Sequence, residues 1–271
     1  MVELFSGDFR QPDRRSSKGN QLKFVRDGIW YKADYLGYEG LAETMISGLL
    51  HFSSLDSAEY VDYDTEEIRY NSQVFTGCRS RDFTYGWQLI TLERLLSLVY
   101  SRSLSQIVYA IEDHTERLRT LVSLVERATG LHDFGPYMAK TLTVDSLFLN
   151  EDRHAHNLAV LTRELKEFRL CPLFDHGAGL LSDTRLDYPL GRDPLQMISS
   201  VQPKTFCESF EEQLEIAEKL YGQQIHFSFS WHEVKYLMDK AEIYSPEIRQ
   251  RVTDIIMEQR RRYSYLFSTR K

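Results

Sequence analysis

A strand-like hairpin interrupts the mostly helical second part of the chain, and it is the sequence feature that most restricts the fold. Residues 158–162 and 168–174 are apolar and strand-like, and a short polar stretch joins them. Such a pair predicts a β-hairpin, which returns its two ends to the same place. Asp152 and Asn157 precede the hairpin, and Asp175 follows it. We therefore expect these three polar side chains to meet at one rim.

The chain is predicted to be an α+β protein whose character changes near residue 80. In the first part, Asp27-Gly28 between two strand-like runs is a strong hairpin signal, and residues 40–50 repeat apolar side chains at a helical period. The second part repeats apolar side chains at helical spacing over longer stretches. These stretches are residues 90–100, 106–128, 209–221 and 246–267. We expect a smaller β-rich region followed by a larger helical one.

The composition argues against several classes of protein. A net charge of −7 and a pI of about 5.7 argue against a nucleic-acid binder that works by broad phosphate attraction. The three cysteines are far apart and form no C-x-x-C pair, so we expect neither a disulfide framework nor a structural zinc site. The sequence has no signal-peptide pattern and no apolar run long enough for a membrane span. A cytoplasmic location is expected, with secretion by a signal-less route left open.

The polar residues at the hairpin ends form a set that phosphoryl transfer needs. In such a set, one carboxylate orients the attacking hydroxyl and accepts its proton, while a second carboxylate and an amide oxygen hold Mg²⁺. The spacing from Asp152 to Asn157, followed by a strand pair and Asp175, is typical of protein-kinase-like enzymes. Each residue alone is equally typical of a loop. His154 is predicted to be a structural, hydrogen-bonding residue of this loop.

The first part of the chain contains residues suited to holding a nucleotide. Residues 16–23 include small residues whose free backbone N–H groups can wrap phosphates, although the stretch is not a Walker A motif. Lys32 lies in the next strand-like run, where its ammonium could reach the α- and β-phosphates. Either Glu39 or Glu43 could pair with Lys32. The alternative for Lys32 is a strand-end lysine that extends to solvent.

Four stretches resemble the HipA-like serine/threonine kinases of bacteria, and within that group the compact, cell-translocating CtkA-like members. The stretches are residues 19–24, residues 30–43, residues 77–80 with Phe83 and residues 89–96, and residues 150–157 with Phe174-Asp175-x-Gly177. The resemblance implies a bilobal, protein-kinase-like α+β fold with ATP in the cleft. We accordingly place an N-lobe at residues 1–78 and a C-lobe at residues 79–271.

The resemblance also implies roles for individual residues. Asp152 would be the catalytic base, Asn157 and Asp175 would bind Mg²⁺, and Lys32 would contact the ATP phosphates. Residues 75–80 would be the hinge that faces adenine. The implied nucleotide-binding set further includes the phosphate loop of Ser16, Ser17, Lys18, Gly19, Asn20 and Gln21, together with Glu39, Glu43, Gly77 and Cys78. In the family this loop carries an autophosphorylated serine, for which Ser16 and Ser17 are the candidates.

Departures from the family pattern leave alternatives open. Larger HipA proteins have an additional N-terminal subdomain, so inhibition by an antitoxin does not follow from the resemblance. Asp175-His176-Gly177 replaces the Asp-Phe-Gly of eukaryotic kinases, and the Asp152 motif also resembles that of phosphoinositide kinases. The leading hypothesis is a Mg²⁺-dependent kinase of protein serine or threonine, with an antitoxin or a host protein as further partner. The alternatives are a lipid or small-molecule kinase, a non-catalytic ATP-binding module, and a metal-dependent phosphodiesterase using Asp152, His154 and His156.

Overall fold

The computed structural model of the protein describes residues 1–10, 21–154 and 157–267, without the side chain of Ser105. Contacts among these residues define two units, each built from separate stretches of the chain. The first unit draws on Met1–Phe83, Phe174–Ser200 and His226–Lys271, and the second draws on Thr84–Leu173 and Val201–Ile225. The predicted lobes divide the chain once, at residue 78, and that division stays a prediction.

The described residues contain both strands and helices, which confirms the expected α+β class. The strands are β1 Val2–Glu3, β2 Phe9–Arg10, β3 Lys23–Arg26, β4 Ile29–Ala33, β5 Asp64–Tyr70, β6 Gln73–Arg81, β7 Gln88–Thr91, β8 Ala159–Arg163 and β9 Glu167–Leu170. The α-helices are α1 Glu39–Leu50, α2 Leu92–Tyr100, α3 Leu104–Ile107, α4 His114–Thr129, α5 Phe134–Phe148, α6 Pro194–Met197, α7 Phe210–Tyr221, α8 Trp231–Lys240 and α9 Pro246–Arg262. No helix among the described residues combines the length and the apolar character needed to cross a membrane.

A six-stranded sheet in the order β1-β5-β6-β4-β3-β2 organises the first unit. Neighbouring strands are antiparallel except β1 and β5, which run parallel. Strands β3 and β4 form the predicted hairpin, and Asp27 and Gly28 take left-handed φ values of 52° and 73° in its turn. Phe24, Tyr31 and Ile68 belong to the apolar cluster that these strands bury.

Helix α1 lies very close to strand β6. A Cβ atom on Gly40 would lie 2.4 Å from the carbonyl carbon of Gly77, and one on Gly77 would lie 2.1 Å from the carbonyl oxygen of Lys32. Glycine at position 40 permits the approach of α1 to β6 because it has no side chain, and glycine at position 77 leaves room for the backbone of strand β4. The predicted helix over residues 40–50 is confirmed by α1. One turn after Gly40, Glu43 therefore lies beside strand β4.

The second unit combines the antiparallel sheet β7-β8-β9 with helices α2–α5 and α7. Strands β8 and β9 form the predicted hairpin, with Val160 opposite Leu170. Helix α5 packs against α4 and α7 and is buried along nearly its whole length. Its Thr141 and Thr143 hydroxyls donate to backbone carbonyls one turn earlier, so their polar groups are satisfied. Helix α5 leads directly into the loop that carries Asp152.

Three predicted helices have different bounds in the structure. In the one predicted over residues 246–267, α9 ends at Arg262 and a short 3-10 helix follows over Ser264–Phe267. A single helix was predicted over residues 106–128, and this is wrong, because α3 ends at Ile107 and α4 begins at His114. Asp113 starts the new helix, since its carboxylate accepts a backbone N–H of the first turn at 2.8 Å. Helix α2 begins later than predicted because Thr91, its N-cap, still pairs within strand β7.

The close approach of α1 to β6 predicts an unusual result for Gly40→Ala. Alanine normally favours a helix over glycine. Here the added methyl group would strike the Gly77 backbone, so we expect a loss of about 1–3 kcal/mol in the free energy of unfolding. Urea denaturation measures the change. Gly191→Ala is the matched control, because a Cβ at Gly191 meets nothing within 4 Å. Equal stability of Gly40→Ala and the unchanged protein would contradict the packing argument.

Candidate active site

Three charged side chains of the first unit contact one another. All three belong to residues that were predicted to bind ATP or Mg²⁺. The Lys32 ammonium lies 2.5 Å from a Glu43 carboxylate oxygen and 2.8 Å from Asp175 Oδ1. Lys32 comes from strand β4, Glu43 from helix α1, and Asp175 from the segment after β9. We call Lys32, Glu43 and Asp175 the lysine cluster. Of the two glutamates considered for Lys32, Glu43 is the one in contact.

The lysine cluster keeps its ammonium charged although it is buried. Burial opposes the charged form, but the carboxylates of Asp175 and Glu43 outweigh it and raise the pKa of Lys32 well above its ordinary value. The Lys32 ammonium also lies 5.1 Å from the centre of the Tyr63 ring. Lys32 is therefore a permanent cation at neutral pH. With two carboxylates and one ammonium, the cluster has a net negative charge that suits a bound cation.

Glu43 also fixes the segment that carries Asp175. Its second oxygen accepts the backbone N–H of His176 at 2.8 Å. Asp175 itself has a left-handed φ of 59°. The turn continues with the Gly179 N–H donating to the His176 carbonyl at 2.9 Å and the Ser182 hydroxyl donating to the Gly177 carbonyl at 2.6 Å. These bonds hold the Asp175 carboxylate in place against Lys32.

The other nucleotide-binding residues predicted in this unit have different surroundings. Glu39 accepts the backbone N–H groups of Leu36 and Gly37 at 2.6 and 3.1 Å, so it secures the loop before α1. Gln21 directly precedes the β3 hairpin and is partly buried. Ser16, Ser17, Lys18, Gly19 and Asn20 lie outside the described residues. Nucleotide binding by all of these residues remains a prediction.

Gly77 and Cys78 lie inside strand β6, where they face Ala33 and Lys32 on the neighbouring strand β4. Cys78 is completely buried, and burial raises the pKa of its thiol well above the usual range. Residues 75–80 are paired strand residues of β6, and their role as the hinge that faces adenine stays a prediction. The chain leaves β6 only after residue 81. A nucleotide contact of Gly77 or Cys78 stays a prediction.

In the second unit, Asp152 and Asn157 belong to one loop, which follows helix α5. We call residues 149–154 and 157 the Asp152 loop. The Asn157 side-chain amide donates to the Asp152 carbonyl at 2.9 Å, and the His154 N–H donates to the same carbonyl at 2.9 Å. The His154 Nε2 atom lies 3.8 Å from Asp152 Oδ2. Since the amide nitrogen of Asn157 is engaged, its amide oxygen is the atom that could face a metal ion.

A buried ion pair supports the Asp152 loop, and it was not among the residues predicted from the sequence. Arg153 donates from Nε and from a terminal nitrogen to the two Asp145 oxygens at 2.9 and 3.0 Å. Asn150 donates to the same carboxylate at 2.7 Å, and Arg153 also donates to the Asn157 carbonyl at 3.2 Å. Burial raises the pKa of Asp145, while Arg153 and Asn150 oppose that rise. The available signal was an acidic residue within the otherwise apolar and buried α5.

The three residues expected at one rim are thus distributed over the two units. Asp175 belongs to the first unit, and Asp152 and Asn157 belong to the second. The hairpin that separates them along the chain is present as predicted. Each group is ordered by its own hydrogen bonds. That the three side chains act together remains a prediction.

Comparisons with known proteins address the fold. Neither the protein-family models nor the curated proteins contain a match to the sequence. Among solved structures, the Helicobacter pylori proinflammatory kinase CtkA superposes with a TM-score of 0.65. The match covers 96% of this chain and 95% of the CtkA chain at 13% sequence identity. The chain has a kinase-like fold. At this identity the likeness shows the fold, which confirms the CtkA-like part of the predicted resemblance and the predicted kinase-like α+β class.

The ion pair under the Asp152 loop predicts a pH-dependent loss of stability for Arg153→Met. The change removes the guanidinium that pairs with the buried Asp145 carboxylate, so we expect a loss of about 3–5 kcal/mol in the free energy of unfolding near pH 7.5. The same change should cost less near pH 5. Loss of Arg153 raises the folded-state pKa of Asp145 further, and a raised pKa makes the folded protein relatively more stable as pH falls.

Urea denaturation at both pH values measures this prediction. Arg127→Met is the control, because Arg127 is an exposed arginine of α4 in the same unit. We expect that variant to unfold like the unchanged protein at both pH values. An Arg153→Met protein whose loss is the same at pH 5 and pH 7.5 would show that Asp145 is not the source of the effect.

Proposed function

We propose that the chain is a Mg²⁺-dependent ATP phosphotransferase, and specifically a HipA- and CtkA-like kinase of protein serine or threonine. The observation that carries this proposal is the lysine cluster. Kinases need one lysine on a strand, paired with a glutamate of a helix, together with an aspartate for the metal. Lys32, Glu43 and Asp175 provide those groups on β4, on α1 and after β9. The kinase-like fold supports the same proposal.

The residues divide the chemistry of transfer between them. Lys32 would bind the ATP phosphates, since a permanently charged ammonium matches their negative charge. Asp152 would orient the acceptor hydroxyl and take its proton as the oxygen attacks phosphorus. The Asp175 carboxylate and the Asn157 amide oxygen are the hard oxygen donors that Mg²⁺ prefers, so the residues fit this ion. Mg²⁺ would supply charge neutralisation of the triphosphate.

The remaining expectations form part of the same proposal. Residues 16–21 would wrap the phosphates, and Ser16 or Ser17 would become phosphorylated by the protein itself. Residues 1–78 would act as the N-lobe and residues 79–271 as the C-lobe. The acceptor would be a serine or threonine of a protein, and an antitoxin or a host protein would be a further partner. A cytoplasmic location also stays a prediction.

Asp152→Asn should lower phosphoryl transfer by about 10²–10⁴-fold, because the amide cannot accept the proton of the attacking hydroxyl. ATP binding, measured by calorimetry, should remain near that of the unchanged protein. The assay is incubation with γ-labelled ATP and MgCl₂, with transfer to the chain itself or to added casein. Asp133→Asn is the matched control, because Asp133 is exposed and makes no side-chain hydrogen bond as the N-cap of α5.

The results would separate the alternatives. Absence of both ATP binding and transfer in the unchanged protein would contradict the proposal. ATP binding without turnover would favour a non-catalytic module, and labelling of phosphoinositide vesicles instead of protein would favour a lipid kinase. A phosphodiesterase centred on Asp152, His154 and His156 would require a transition metal in the purified protein; His156 lies outside the described residues. Mass spectrometry after incubation would locate any phosphate on Ser16 or Ser17.

A further inference from the structure

A short segment before helix α7 is fastened to the Asp152 loop. The Lys204 backbone N–H donates to the Glu151 carbonyl at 3.1 Å, and the Thr205 hydroxyl donates to the Arg153 carbonyl at 2.6 Å. These two bonds lie immediately before and immediately after Asp152 in the loop. We call residues 202–206 the Lys204 strap. The strap and the loop both belong to the second unit.

The strap places a lysine side chain beside the predicted catalytic base. Lys204 Nζ lies 3.5 Å from Asp152 Oδ1, while the His154 ring lies 3.8 Å from the other Asp152 oxygen. The Lys204 side chain is 46% exposed, whereas the Asp152 side chain is 9% exposed. A substrate can therefore reach the Lys204 ammonium from solvent, next to the carboxylate that our proposal assigns as the catalytic base.

The strap does not need the lysine side chain for its own attachment. The bonds that hold it come from a backbone N–H and from the Thr205 hydroxyl. Thr205 is buried, whereas nearly half of the Lys204 side chain faces solvent. An ion pair with such an exposed member contributes little to stability because water screens it. A functional role explains the position of this side chain better than a packing role does.

We propose that Lys204 is a catalytic residue that contacts the phosphoryl group during its transfer, an inference that rests on the proposed function. In the reaction, the acceptor oxygen forms a bond to the γ-phosphorus and gives its proton to Asp152. The bond from that phosphorus to the β,γ-bridging oxygen breaks, and ADP leaves with the electron pair. Negative charge is spread over the equatorial oxygens of the phosphoryl group in between. The Lys204 ammonium stabilises this charge and keeps its own protons.

This assignment concerns a residue outside the loop that bears the acid and amide groups. Lys204 lies 52 positions after Asp152 along the chain. Within the loop, the position two residues after Asp152 is occupied by His154. The ammonium 3.5 Å from Asp152 Oδ1 is thus supplied by a separate segment, and the two bonds that hold the strap determine where it lies.

Lys204→Ala tests the inference in the full-length protein. We expect kcat for transfer from γ-labelled ATP to casein, or to the chain itself, to fall by about 10²–10³-fold. The KM for ATP and the calorimetric affinity for ATP should change by less than about threefold, because the contact forms mainly in the transition state. Lys204→Arg retains the positive charge and should recover part of kcat. Lys219→Ala is the matched control, since Lys219 is an exposed lysine of α7 in the same unit.

The outcomes distinguish this inference from the proposed function. Transfer by the unchanged protein together with an unaltered kcat in Lys204→Ala would overturn the role of Lys204 and leave the kinase proposal intact. No transfer by the unchanged protein would instead contradict the kinase proposal itself. If Lys204→Ala and Lys204→Arg lose kcat equally and both melt earlier than the Lys219→Ala control, the lysine is structural and the inference fails.

Discussion

The arrangement of the first unit depends on three charged side chains that lie together in a mostly buried site. Moving an ammonium or a carboxylate out of water is costly, and the cost is offset only when opposite charges and hydrogen bonds replace the water. Lys32 receives two carboxylates, and Glu43 receives both that ammonium and a backbone N–H from His176. Removing Lys32 would leave both carboxylates without the ammonium that pairs with them. The cluster therefore ties strand β4, helix α1 and the Asp175 segment to one arrangement.

Two contacts between backbone atoms make that arrangement possible. Gly40 lets helix α1 approach strand β6 more closely than any side chain would permit, and Gly77 leaves room for the backbone of strand β4. A carboxylate one turn along the helix then reaches the neighbouring strand β4, because residues three apart lie on the same side of a helix. The ion pair between Lys32 and Glu43 thus depends on Gly40 having no side chain.

In the second unit, a buried ion pair likewise supports the Asp152 loop. Asp145 and Arg153 form a buried, two-bond pair, and Arg153 also holds the Asn157 carbonyl. Asp152, between these anchors, is itself buried, with 9% of its side chain exposed. In both units a buried ion pair fixes the backbone, and a more accessible polar group projects from it. Precise placement of such groups is what transfer chemistry requires.

Local signals predicted the local elements well. Asp27-Gly28 predicted the β3–β4 hairpin, because these residues adopt the left-handed turn at low cost. The apolar period predicted α1. The same apolar period gave a wrong prediction over residues 106–128. Apolar side chains keep their helical spacing across the break between α3 and α4, and only the N-cap Asp113 marks the start of the second helix.

The amino-acid sequence by itself determined which charges, amides and glycines the chain carries and in what order they occur. That was enough to single out Lys32, Asp152, Asn157 and Asp175. Tertiary structure alone decided their partners. Glu39 and Glu43 are equivalent by spacing, yet loop N–H groups occupy Glu39 while the close packing of α1 directs Glu43 to Lys32. Lys204 came to Asp152 through backbone bonds between distant segments, and no sequence pattern encodes such a contact.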